Sequence, residues 1–123
     1  TKEAGFAGAQ CPLYILRKDS SGLEELKGDR IPIGYHDGKT RAYEQHALQL
    51  AAGDRLYMIS DGFADQFGGP AGKKLKSSKL KELLCSTGSL KMGGQEKAMD
   101  AAFSDWRGEQ EQVDDVLLIG LQV

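Results

Sequence analysis

Two short acidic motifs carry side chains suited to holding a hard cation. The first is Ser60-Asp61-Gly62, directly after the apolar run Arg55–Ile59. An Asp at the end of a rigid strand is a fixed carboxylate, and the Gly beside it lets other backbone approach closely. The second is Asp114-Asp115, directly ahead of Val116-Leu117-Leu118-Ile119. Two adjacent acids at the mouth of an apolar strand repel each other and are costly unless solvated or bridged by a cation. Mg²⁺ and Mn²⁺ take carboxylate and water oxygens, usually with only one or two carboxylates per ion. A lone Asp-Gly is in most proteins a turn, and a lone Asp-Asp before a strand is usually a solvated loop. Spacing alone therefore reads as an acidic metal site only if the two motifs meet in space.

The other polar clusters are weaker. Gly68–Lys74 has the look of a phosphate loop, but the GxxxxGK[ST] pattern needs Gly where Phe67 stands and Ser or Thr where Lys74 stands. It reads instead as a mobile, glycine-rich surface loop from Gly62 to Gly72, placed to shape access to a site. Lys73 and Lys74 at its end are a solvated pair or an attraction for a phosphorylated or acidic partner. No GxSxG nucleophile elbow occurs. His36 and His46 have no acid or nucleophile at useful spacing and read as surface residues. With Cys11 and Cys85 they show no zinc-ligand pattern, and the two cysteines read as reduced thiols.

The elements that must position these acids follow from hydrophobic patterning. Leu13–Leu16 is a short apolar strand closed by the turn residues Arg17–Gly22, with Leu23–Leu26 as its return strand. Asp37-Gly38 predicts a hairpin turn, Ala42–Leu50 a strand, and Ala52-Gly53-Asp54 a tight turn. Arg55–Ser60 predicts a buried strand and Val116–Ile119 a strand buried on both faces, the two running side by side. Leu80, Leu83 and Leu84 mark one helix over Lys79–Cys85. Met99, Ala102, Phe103 and Trp106 mark a second over Gln95–Trp106, with Gly108 as its stop and the aromatic residues in its core face. Strands, then helices, then a closing strand predict an α+β domain with helices packed on antiparallel sheet.

Composition limits the function classes. The 123 residues are 40% apolar and 28% charged, which fits one small globular domain rather than a disordered chain. A net charge of −2 gives no footprint for gripping nucleic acid. No apolar run approaches the roughly 20 residues of a membrane helix, and no secretory leader opens the chain. A cytoplasmic protein without membrane contact is expected.

Taken together, Phe6-Ala7-Gly8-Ala9, Ile31–Tyr35, Gly53-Asp54, Tyr57–Gly69 and Gln112–Val116 resemble the metal-dependent protein phosphatases, in order and over essentially the whole chain. More narrowly they resemble the bacterial branch named for the stage II sporulation protein E phosphatase. The resemblance implies an antiparallel β-sandwich with flanking helices, in α-β-β-α layers. Residues 1–123 would be the C-terminal portion of one such domain, incomplete at the N-terminus. It also implies hydrolysis of phosphoserine or phosphothreonine on a regulatory protein, often an anti-anti-sigma-type factor, by water activated at two Mn²⁺ or Mg²⁺ ions. No side chain would act as nucleophile. On the motif match, Asp61 and Asp114 are metal ligands and Asp115 a secondary one. The family's first acidic motif, whose Asp bridges the two ions, lies upstream of anything in this sequence. The isolated chain is thus expected to bind Mn²⁺ poorly, to lack activity and to self-associate through exposed sheet. The rival reading is a non-catalytic, phosphatase-like interaction or dimerisation module.

Overall fold

The computed structural model describes residues 2–34 and 41–123. In chain order the elements are β1 (Lys2–Phe6), β2 (Leu13–Leu16), β3 (Leu23–Leu26), β4 (His46–Leu50), β5 (Arg55–Ile59), α1 (Gly62–Asp65), β6 (Phe67–Gly68), β7 (Lys73–Lys74), α2 (Ser77–Thr87), α3 (Met92–Arg107) and β8 (Leu118–Gln122). They form two compact units, residues 1–58 with 120–123 and residues 59–119. The α+β class with antiparallel sheets stands as expected.

The first unit is built on strands. β1 pairs antiparallel with β4, from Lys2 opposite Leu50 to Phe6 opposite His46. β2 pairs antiparallel with β3 on one side and β5 on the other, in the order β3-β2-β5-β8. An interior position explains why every residue of β2 is buried. Leu13 and Ile15 from this sheet meet Leu48 and Leu50 from β4, with Phe6, Leu26, Leu56 and Val123 packed around them. Burying each such side chain contributes about 1.5–3 kcal/mol.

A charged anchor ties the turns of this unit. Gly53, at φ +96°, allows the turn that brings the Asp54 N–H to the Ala51 carbonyl, 3.1 Å away. The buried Asp54 carboxylate accepts from the backbone N–H groups of Ala51 and Lys18 and from the Arg17 guanidinium, each at 3.0 Å. The Ala51 bond, then the Lys18 bond and Arg17, hold its carboxyl below the usual range. Glu24 and Asp54 together raise Arg17 above its ordinary value.

The second unit carries the helices. α2 buries Leu80 and Leu84, and α3 buries Gln95, Met99 and Phe103 at i, i+4 and i+8. Phe63 meets Phe103 edge to face at 5.1 Å. The Gln95 amide donates to Thr87 Oγ1 at 3.1 Å, joining the two helices. Gly108, at φ +54°, ends α3 as expected.

Several expectations are corrected. The closing strand is not buried on both faces: it starts at Leu118, and Leu117, Ile119 and Leu121 are 59%, 47% and 58% exposed. Within the described sheet β8 is an edge strand with only β5 beside it, and the faces that carry these apolar side chains stay open. Arg55–Ile59 is not buried throughout: Arg55, Tyr57 and Ile59 are buried on one face, while on the other Leu56 packs half-buried against the core and Met58 lies beyond it, exposed. The strand expected over Ala42–Leu50 is confined to His46–Leu50. His46 is half-buried and stacks on Phe6 at 6.3 Å. The glycine-rich stretch is not a plain loop: it folds into α1 and the β6–β7 ribbon. His36 and the Asp37-Gly38 turn lie outside the described residues.

Candidate metal-binding rim

Asp61, Asp114 and Asp115 all lie in the second unit. β5 ends at Ile59, and Ser60 turns the chain into α1. Asp61 occupies the N-cap position, where an Asp side chain ordinarily accepts a hydrogen bond from the first turn. Here the backbone at Asp61 is already helical (φ −67°, ψ −17°) and the carboxylate makes no cap bond. The residue is exposed.

The second acidic motif is fastened to this turn. The Ser60 N–H donates to the Leu117 carbonyl at 2.9 Å, and its hydroxyl accepts from the Leu117 N–H, also at 2.9 Å. The same hydroxyl donates to the Asp115 carbonyl at 3.1 Å. Gly62 is buried against that segment: an added Cβ would overlap the Asp115 carbonyl oxygen and stand 3.3 Å from a Val116 methyl. Any other residue at 62 would push the two motifs apart. Within its own loop, Asp114 Oδ1 accepts from the Asp115 N–H at 2.8 Å, and Gln112 Nε2 donates to the Asp114 carbonyl at 3.0 Å.

Segments 60–62 and 115–117 therefore meet, as the adjacency of the two strands predicts. Among the described residues none of the three carboxylates is in an ion pair. Exposed, unpaired carboxylates beside a cradle that admits no Cβ fit a hard divalent cation in donor chemistry. They fit as a partial set, because among the described residues no group of three or more His, Cys, Asp or Glu is gathered closely enough to hold an ion.

Lys73 and Lys74 lie in β7, exposed, opposite Gly68 and Phe67. Lys74 Nζ is 3.4 Å from Asp65 Oδ1, and it sits 5.8 Å from the centre of the Phe67 ring. Gln66 stands in the sequence only as part of the Tyr57–Gly69 resemblance, with no role of its own, although the residue is 1% exposed and its side chain is bonded to Glu111. Its only signal is an amide in the run between α1 and the glycines. Ser60 was legible only as the neighbour of Asp61.

The sequence matches the family description Stage II sporulation protein E (SpoIIE) over residues 1–123. The chain belongs to the SpoIIE family. Among solved structures, this SpoIIE-family chain is similar to the SiaA-PP2C domain of Pseudomonas aeruginosa, at 30% identity and a TM-score of 0.84, covering 98% of the chain and 46% of that structure. A structure of the PP2C phosphatase domain with a fragment of the regulatory domain of the cell fate determinant SpoIIE from Bacillus subtilis matches at 22% identity and TM-score 0.72, over 98% and 34%. The phosphatase domain of the same B. subtilis protein, presoaked with Mn, matches at 17% identity and TM-score 0.64, over 98% and 50%. The latter two establish likeness of fold. The chain thus spans about half or less of the length of each of these relatives. A comparison with curated protein sequences gave no match. SpoIIE-family membership relates the chain to the PP2C-like phosphatases. Among the described residues no helix is long and apolar enough to cross a membrane.

Proposed function

We propose that this SpoIIE-family domain contributes the Asp61–Asp114 rim of a metal-dependent protein serine/threonine phosphatase. The observation that carries the reading is the uncapped Asp61 carboxylate, in a turn whose Ser60 is bonded to Asp115 and Leu117. Asp61 and Asp114 serve as ligands for Mn²⁺ or Mg²⁺, and Asp115 is a secondary ligand. When bound, such an ion acidifies water and neutralises charge on a phosphoryl group. Gly62 keeps the Asp61 turn close to Asp115, and the chain supplies no side-chain nucleophile. Lys73 and Lys74 favour an acidic or phosphorylated partner by charge, Lys74 having first to be shared with Asp65. The partner is a phosphorylated regulatory protein, of the anti-anti-sigma type, in the cytoplasm. The exposed alternation Leu117, Ile119 and Leu121 supports self-association as a second property.

Phosphate release from phosphoseryl, phosphothreonyl and phosphotyrosyl peptides, with Mn²⁺ and with a chelator, tests the reading in the intact protein. Metal-dependent release from the first two supports it. No release from any of them, with a phosphoprotein still bound, leaves the non-catalytic interaction module in its place.

A further inference from the structure

The loop that carries Asp114 has no regular secondary structure from residue 111 to residue 117, so no backbone ladder fixes it. Its place is set by bonds from the other motif, and two residues supply them. Ser60, one residue before Asp61, engages Leu117 and Asp115 through its N–H and its hydroxyl. Gln66, five residues after Asp61, donates from Nε2 to the Glu111 carbonyl and to the Phe67 carbonyl, each at 2.9 Å. The backbone carbonyl of Gln66 in turn accepts from Trp106 Nε1 at 2.9 Å and from the Leu75 N–H at 3.0 Å. Asp61 and α1 are held between these two fastenings, and Asp114 lies between the points they grip, at Glu111 and at Asp115–Leu117.

We propose that Ser60 and Gln66 are positioning residues that set the separation between the Asp61 and Asp114 carboxylates and thereby the affinity of the rim for a divalent cation. A hydroxyl is the smallest side chain that both donates and accepts, and at Ser60 both capacities are used. Gln66 is held by its donors: its side-chain oxygen is buried without a partner, which is unfavourable, while both amide N–H groups are spent on carbonyls. The reversed amide would set an oxygen against two carbonyl oxygens, so this orientation is the one the surroundings allow. Like-charged carboxylates push the two motifs apart, and these bonds oppose that push. Residues that orient metal ligands without touching the metal govern affinity strongly, by about 10–100-fold.

The inference rests on the metal-binding reading above, and the experiment separates the two. Mn²⁺ affinity of the intact protein is measured by calorimetric titration for wild type, Asp61→Asn, Ser60→Ala, Ser60→Thr and Gln66→Met, with metal-free melting recorded for each. Expected are loss of binding in Asp61→Asn, binding weakened about 10–100-fold in Ser60→Ala and Gln66→Met, and return to within about threefold of wild type in Ser60→Thr, which keeps the hydroxyl. Should Gln66→Met fail to fold, the Ser60 pair decides. Wild-type affinity in Ser60→Ala, or equal weakness in Ser60→Ala and Ser60→Thr, overturns the positioning role while Asp61→Asn still fails to bind. Wild-type affinity in Asp61→Asn overturns the metal-binding reading itself.

Discussion

Replacing Gly62 by Ala sets two physical effects against each other. Gly62 opens α1, and helix propensity alone favours Ala there by up to about 1 kcal/mol. Its backbone has no positive φ, so conformational freedom is not what the position needs. Space is. The new Cβ would overlap the Asp115 carbonyl oxygen, stand 3.0 Å from the carbonyl carbon and 3.3 Å from a Val116 methyl. Restoring an ordinary carbon–oxygen contact of about 3.3 Å requires the 115–116 backbone to retreat by roughly 1 Å. That neighbour is backbone, which cannot rotate aside as a side chain would. Forced accommodation of this kind costs about 1–3 kcal/mol. The retreat also stretches the 3.1 Å bond from Ser60 to Asp115, a further loss of about 0.5–1.5 kcal/mol. The net expectation is destabilisation by roughly 1–3 kcal/mol, a fall in the urea midpoint on the order of 1 M. Mn²⁺ affinity should fall as well, since the same retreat moves Asp114. Urea unfolding followed by circular dichroism, with calorimetric titration of Mn²⁺, reads both. A Gly62→Ala protein as stable as wild type, or more so, would show that propensity wins and that the close approach is not binding.

Other outcomes follow from the same structure. Asp54→Asn must turn an amide NH₂ toward one of the N–H donors its carboxylate now accepts, at a cost of about 1–3 kcal/mol. Because the folded carboxyl titrates below its unfolded value, the wild-type advantage is complete above about pH 4 and shrinks as pH falls through the folded value, as urea midpoints from pH 6 to pH 3 would show. Ile15→Ala, at a fully buried position of β2, should cost about 2–5 kcal/mol in the same assay. Lys73→Glu with Lys74→Glu should change stability by less than about 1 kcal/mol, since the Lys74–Asp65 pair is exposed, yet slow turnover of a phosphoprotein. Unchanged turnover would remove both lysines from substrate recruitment.

Much of this arrangement is legible in the sequence, for identifiable reasons. Leu13–Leu16 and Leu23–Leu26 are short apolar stretches around unmistakable turn chemistry, and both strands form where patterning puts them. Met99 and Phe103 carry helical spacing strong enough to fix the buried face of α3, though the helix begins earlier, at Met92. The closing strand misleads because an apolar run records a tendency to be covered, whereas cover depends on what packs against the faces of the sheet. Leu117, Ile119 and Leu121 have the composition of a buried strand and the exposure of an edge. The glycine-rich stretch misleads differently. Gly68 allows close approach to Trp106, whose carbonyl accepts from the Gly69 N–H at 2.9 Å, so these glycines build contacts as well as loosen the chain. At the rim, the acids stand out by type and position. Ser60 and Gln66 do not, because a side chain that fastens one loop to another some fifty residues away leaves no local pattern.

The measurement that bears most directly on the metal rim is the Mn²⁺ dependence of phosphate release from a phosphoseryl peptide by the intact protein, compared with Asp61→Asn and Asp114→Asn. A carboxylate that ligates the ion loses its charge in these variants while keeping its shape. Each variant should then need at least about tenfold more Mn²⁺ for half-maximal release, or release nothing, with its metal-free melting unchanged. Wild-type Mn²⁺ dependence in both variants would contradict the assignment of Asp61 and Asp114 to a common metal site.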